Sequence, residues 1–209
     1  MENIDYSGAQ AIDGNTPDQI LFGAGSYHYG VKPNEKFTAL ENIGTFFGCT
    51  NGGGKFAIKP NVVPIEVDQS LVAREGFYVK QGEEAYIETN WTQIGGEALA
   101  KVLMADSEDG EGVKTIKSRE TIEAGDYFDN FAYIGKTVSG KPVIIVFEKA
   151  LCTSGLEVGT EKGKQSSPTV RIDCVAASNS NENKLPWHII WPDAATPAAA
   201  SIDEGEATE

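Results

Sequence analysis

Histidine, methionine and cysteine are scarce in this chain: two, two and three residues respectively. His28 and His188 stand far apart in the sequence and leave little material for imidazole-based acid–base or metal chemistry. Cys49, Cys152 and Cys174 are odd in number and contain no Cys-x-x-Cys pair. That argues against a structural zinc site or a complete disulfide framework, and for three small apolar side chains in a reducing cytoplasm. Positive charge is also short. Lys and Arg total 17 against 31 Asp and Glu, giving a net charge of −14 and a pI near 4.6. Such a chain repels phosphate backbones, which excludes non-specific DNA binding. Long apolar runs are missing as well: the longest covers residues 143–147, against the ~20 residues of a membrane span. The opening residues have no basic or apolar stretch of the signal-peptide kind.

Glycine, by contrast, is abundant at 23 residues, beside nine prolines, a density that favours many turns over long helices. Hydrophobic residues at 40% supply a core. Residues 1–18 read as a polar arm. Residues 193–209, with five acids and no base, read as a solvated tail. One domain, residues 19–192, is expected between them.

Within that domain the period-two pattern dominates. Over residues 83–94, Ala85, Ile87, Thr89 and Trp91 alternate with Glu84, Tyr86, Glu88, Asn90 and Thr92. Over residues 169–176, Val170, Ile172, Cys174 and Ala176 alternate with Thr169, Arg171, Asp173 and Val175. Residues 63–69 carry Val63, Ile65 and Val67 against Glu66 and Asp68. Each reads as a strand of an antiparallel sheet with one dry and one solvated face. Residues 143–147 are apolar on both parities and require cover on both faces. Trp187, Ile189 and Trp191 share a parity in a last aromatic strand. One helix is predicted over residues 96–106, with Leu99, Val102 and Leu103 on one face and Glu97 paired to Lys101. An acidic loop at residues 106–111 ends it. The expected fold is mainly β, an antiparallel β-sandwich or half-barrel with one packed α-helix.

Catalytic and cofactor signatures fail on inspection. Gly23-Ala24-Gly25 lacks the third glycine of a dinucleotide fingerprint, where His28 stands, and no βαβ pattern follows. Gly54-Lys55 imitates a P-loop, but Cys49 replaces its first glycine and Phe56 its magnesium-binding hydroxyl. The acids of residues 106–111 lack EF-hand spacing and read more simply as solvated. Glu83 and Glu84 are strand neighbours and point to opposite faces, so they do not make a two-carboxylate site. Neither an enzyme activity nor a cofactor or metal is expected. Tyr27, Tyr29, Phe46, Phe47, Ile145, Trp187 and Trp191 are left as core residues or as contacts with neighbouring subunits, and the concentration of aromatics toward both chain ends favours contacts.

The order of these elements resembles the major tail, or tail tube, proteins of long-tailed, non-contractile bacteriophages. The similarity runs from about Gln19 to Pro192. The segment Ile20-Leu21-Phe22-Gly23-Ala24-Gly25-Ser26-Tyr27-His28-Tyr29-Gly30 is similar to the family's early strand. Residues 40–49 and the turn Thr50-Asn51-Gly52-Gly53-Gly54 then lead into a strand over residues 56–68. Residues 84–94 running into the helix resemble the family's strand-then-helix step, and residues 143–150, 169–177 and 186–190 its closing strands. The acidic Ala/Pro tail is a departure.

The resemblance implies a structural virion protein, assembled in the host cytoplasm and located in the phage tail. Six copies would close into a ring, and stacked rings would conduct DNA during ejection. Implied partners are further copies, the tape measure, tail terminator and tail tip proteins, and DNA in transit. A conduit must not adhere to its cargo, and an acidic chain fits that requirement. The polar parities supply candidate lumen-facing residues, Glu66, Asp68, Glu84, Glu88, Asn90 and Thr92, with the tube exterior as the alternative location. A tube of a phage-like injection or secretion machine, and a capsid decoration or β-sandwich binding module, are the competing readings.

Overall fold

The computed structural model describes residues 14–68, 70, 72–180 and 183–193. Most of the expected arm and nearly all of the acidic tail lie outside them. The described residues are mainly β and antiparallel, with two α-helices among them. In order it forms α1 (Thr16–Gln19), β1 (Leu21–Tyr29), β2 (Lys32–Pro33), β3 (Leu40–Asn42), β4 (Thr45–Phe46), β5 (Thr50–Pro64), β6 (Tyr78–Trp91) and α2 (Gly96–Leu103). Then come β7 (Asp106–Gly110), β8 (Val113–Lys117), β9 (Phe128–Thr137), β10 (Pro142–Cys152), β11 (Thr169–Cys174) and β12 (Trp187–Ile190).

Eight strands make one sheet in the order β4-β1-β9-β10-β11-β6-β5, with β12 added to β10 beside β11. The sheet curls until β1 and β5, near its opposite ends, face each other. Glycine permits this approach: a Cβ on Gly54 would stand 1.8 Å from the Tyr27 hydroxyl. The concave face encloses the main core, built from the dry parities of Ile87 and Trp91 on β6, Phe131 on β9, Ile145 and Phe147 on β10, and Val170 and Ile172 on β11. Aromatic rings of Tyr27, Phe47, Trp91, Phe128, Phe131 and Tyr133 pack there at centroid distances of 4.7 to 6.4 Å.

Strand β10 is the spine. Residues 143–147 are all buried, and cover on both faces comes from within the subunit. Ile145 and Phe147 enter the main core, while Ile144 and Val146 join Val31 and Ala132 in a second cluster with Leu40 and Ile190. The hairpin β2–β3 supplies that second lid.

Four local expectations need correction. Helix α2 buries Ala98, Ala100 and Val102, while Leu99 is only half-buried and Leu103 is exposed. The helix stops at Leu103 because Met104 turns left-handed (φ 50°) and its N–H returns to the Ala100 and Lys101 carbonyls. Lys101 reaches the Gly125 carbonyl and the Phe128 ring rather than Glu97. The acidic segment 106–111 is largely strand, not loop: β7 pairs with β8, and Lys117–Glu108 and Lys114–Asp109 ion pairs neutralise it.

Candidate functional site

The convex face of β11, β6 and β5 carries a set of charged side chains whose positions are fixed by strand register. Lys55 pairs with Glu88, Ala57 with Tyr86 and Lys59 with Glu84 across β5–β6. Arg171 pairs with Glu88 and Asp173 with Tyr86 across β11–β6. Alternation sends all of these outward, opposite to Ile87, Thr89 and Trp91.

Tyr86 is the centre of this face. It lies on the outward parity yet is only 3% exposed, because cations cover it. The Arg171 guanidinium stacks 3.9 Å from its ring centroid, and the Lys55 and Lys59 ammonium groups lie at 5.3 and 5.2 Å. Lys59 donates to the Tyr86 hydroxyl at 3.4 Å. The hydrogen bonds from Lys55 and Lys59 hold the phenol below its ordinary range. Arg171 is held in turn by Asp173 at 2.7 Å and Glu84 at 2.5 Å, which push its already high value further up.

The candidate lumen residues separate on this framework. Glu84, Glu88, Asn90 and Thr92 share the expected outward direction, but the face is not a bare acidic lining. Glu84 is paired with Arg171 and, at 3.8 Å, with Lys59. Asn90 accepts a bond from the Thr169 hydroxyl at 2.8 Å, and the Thr92 hydroxyl meets that of Ser167 at 3.2 Å. Glu66 and Asp68 are exposed but belong to no strand, since β5 ends at Pro64 and a connecting loop follows. Proline at 60 and 64 limits further ladder bonding. Glu83, on the opposite parity from Glu84, accepts from the Leu185 N–H at 2.9 Å and from Lys80 at 2.5 Å.

The candidate contact residues also divide. Tyr27, Phe47 and Ile145 are at most 2% exposed and belong to the subunit's own core, which removes them as interface residues. Tyr29 and Trp187 are half-buried against that core. Phe46 and Trp191 remain exposed. Sequence alternation had placed Tyr86, Arg171 and Asp173 on solvated faces, but it could not say that β11 and β5 flank β6. That adjacency is what assembles the cation-covered tyrosine.

A different surface lies along the β5–β6 hairpin. Beyond the core its distal half is exposed on both sides, with Val62, Tyr78 and Val79 uncovered and Ile65, Val72 and Phe77 in the connection. Among the described residues no strand pairs with the outer edge of β5. No three His, Cys, Asp or Glu side chains among them converge as metal ligands, and no helix is long and apolar enough to cross a membrane. No protein-family model matches the chain, and no curated protein does so either.

Proposed function

We propose that this chain is the major tail tube subunit of a long-tailed, non-contractile bacteriophage, closing into six-membered rings that stack around a DNA passage. One observation carries the reading furthest. The β5–β6 hairpin extends past the core with a β5 edge that no strand among the described residues pairs, and with uncovered apolar side chains, Val72 at 68% and Tyr78 at 50% exposure. A long apolar edge invites pairing with another chain and is an aggregation risk in a monomer. A closed ring of identical subunits gives every such edge a partner without leaving a free end. The element order that resembles tail tube proteins, and the net charge of −14, support the same reading.

The charged face around Tyr86 changes how a non-adhesive passage would work. Arg171 and Lys59 offset Glu84, so repulsion from that carboxylate is not what would keep DNA moving past this face. Close compensation of charge would leave little net field beyond a Debye length of ~8 Å.

The test is assembly. Wild-type protein at rising concentration is expected to give rings or tubes in negative stain and fast-sedimenting species. A Val62→Thr, Tyr78→Ser, Val79→Thr variant is expected to keep its circular dichroism spectrum and sediment as a monomer. A wild-type protein that stays monomeric at every concentration, and with tail-tip proteins present, overturns the reading.

A further inference from the structure

We propose that Lys55, Lys59 and Tyr86 form a binding site for a tetrahedral oxyanion of the phosphate class. The starting point is a convergence of like charges. Lys55 and Lys59 sit four residues apart on β5, yet both ammonium groups lie near 5 Å from one ring, at 5.3 and 5.2 Å. Both are drawn to the same phenolic oxygen. A neutral phenol offers lone pairs but no charge to offset two ammonium ions brought together.

The nearby carboxylates are committed elsewhere. Asp173 grips Arg171 at 2.7 Å, and Glu84 grips it at 2.5 Å while reaching Lys59 only at 3.8 Å. Glu88, across the ladder from Lys55, opposes an anion and limits affinity. Two ammonium groups therefore lie together over one phenol on the same outward face, a pair of donors that a phosphate with several equivalent acceptor oxygens can engage at once. Arg171, stacked on the ring at 3.9 Å, fixes the orientation of the phenol, and its own charge is met by Glu84 and Asp173. The site is shallow, with the Lys59 side chain 58% exposed, so binding is weak and salt-sensitive.

This inference does not rest on the tube reading, and the two fail separately: phosphate binding needs no ring, and assembly through the hairpin needs no phosphate. The experiment is a residue-resolved NMR titration at constant ionic strength, with inorganic phosphate in one arm and a short oligothymidylate in the other. Saturable shifts are expected at residues 55, 59, 86 and 171. A Lys55→Gln/Lys59→Gln variant should weaken binding by at least about tenfold, the scale of a lost charge-assisted hydrogen bond. Tyr86→Phe, which keeps the ring under Arg171 and removes the oxygen that draws the two ammonium groups together, should weaken it less. Saturation by the oligonucleotide at lower phosphate concentration assigns the site to a phosphodiester backbone; the reverse order assigns it to the free ion. The absence of a saturable response to both probes, or a response unchanged in the double lysine variant, overturns the proposal.

Discussion

Trp91 organises the main core. It is fully buried, stacks on Phe47 at 4.7 Å and donates its indole N–H to the Phe47 carbonyl at 3.2 Å. Gly48 makes room for it. At φ 142° a Cβ there would stand 2.3 Å from the Gln93 carbonyl oxygen and 2.4 Å from the indole nitrogen. Gly48→Ala is therefore expected to cost about 2–4 kcal/mol in urea unfolding. Gly159→Ala, with open space and an ordinary backbone angle, should stay within about 0.5 kcal/mol. The cysteines give a second test. Burial pushes the Cys174 thiol up to about 12, with the Glu83, Glu148 and Asp173 charges adding to it, and burial raises Cys152 as well. In the native protein only exposed Cys49 should react rapidly with a thiol reagent at neutral pH, and all three should react in denaturant. The unfolded chain ionises Cys174 near 9.0, before the folded chain does. Its contribution to stability is complete below that pH and is lost as pH rises toward 12. Cys174→Ala should flatten this alkaline loss in urea midpoints measured against pH.

Among the elements, the β7–β8 hairpin depends on Arg119. That side chain is 14% exposed and bonds Asp106 at 2.9 Å, the Thr121 carbonyl at 2.8 Å and the nearly buried Asp126. Asp126 also accepts from the Glu123 N–H at 2.7 Å, closing the short helical turn Ala124–Asp126. Arg119→Met is expected to raise hydrogen exchange across residues 106–117 while leaving β9 and β10 protected. Unchanged exchange in the hairpin would mean that its cross-strand pairs hold it alone. The same hairpin shows where sequence reading stops. Asp106-Ser-Glu-Asp-Gly has no apolar alternation, so its strand character comes from lysines opposite it on β8, a signal visible only once register is known. The dry parities of β6 and β11 were legible from alternation, and the burial of residues 143–147 from an apolar run on both parities. What alternation could not distinguish was a dry face closed by the chain's own sheet from one closed by a neighbour. Tyr27, Phe47 and Ile145 were misassigned for that reason.

At the scale of the whole molecule, a subunit carrying −14 meets its copies against mutual repulsion. If apolar hairpin contacts drive assembly, raising salt from about 50 to 500 mM should promote it, since the screening length falls from above ~10 Å to a few ångströms. Sedimentation velocity across that range checks this; assembly that weakens with salt would point instead to attractive ion pairs between subunits. The spine strand has a consequence in time rather than space. Its partner β9 is separated by a four-residue turn, whereas β12 pairs with Ile144, Ile145, Val146 and Phe147 from about forty positions later. During synthesis the most apolar strand thus has one edge open while the following segment is being made. Distant pairings of this kind are slow to form, and the exposed edge is a route to misassociation in the meantime. Release of β12 from the ribosome would then be the event that seals the subunit, so that a nascent chain cannot mature before that strand has been translated.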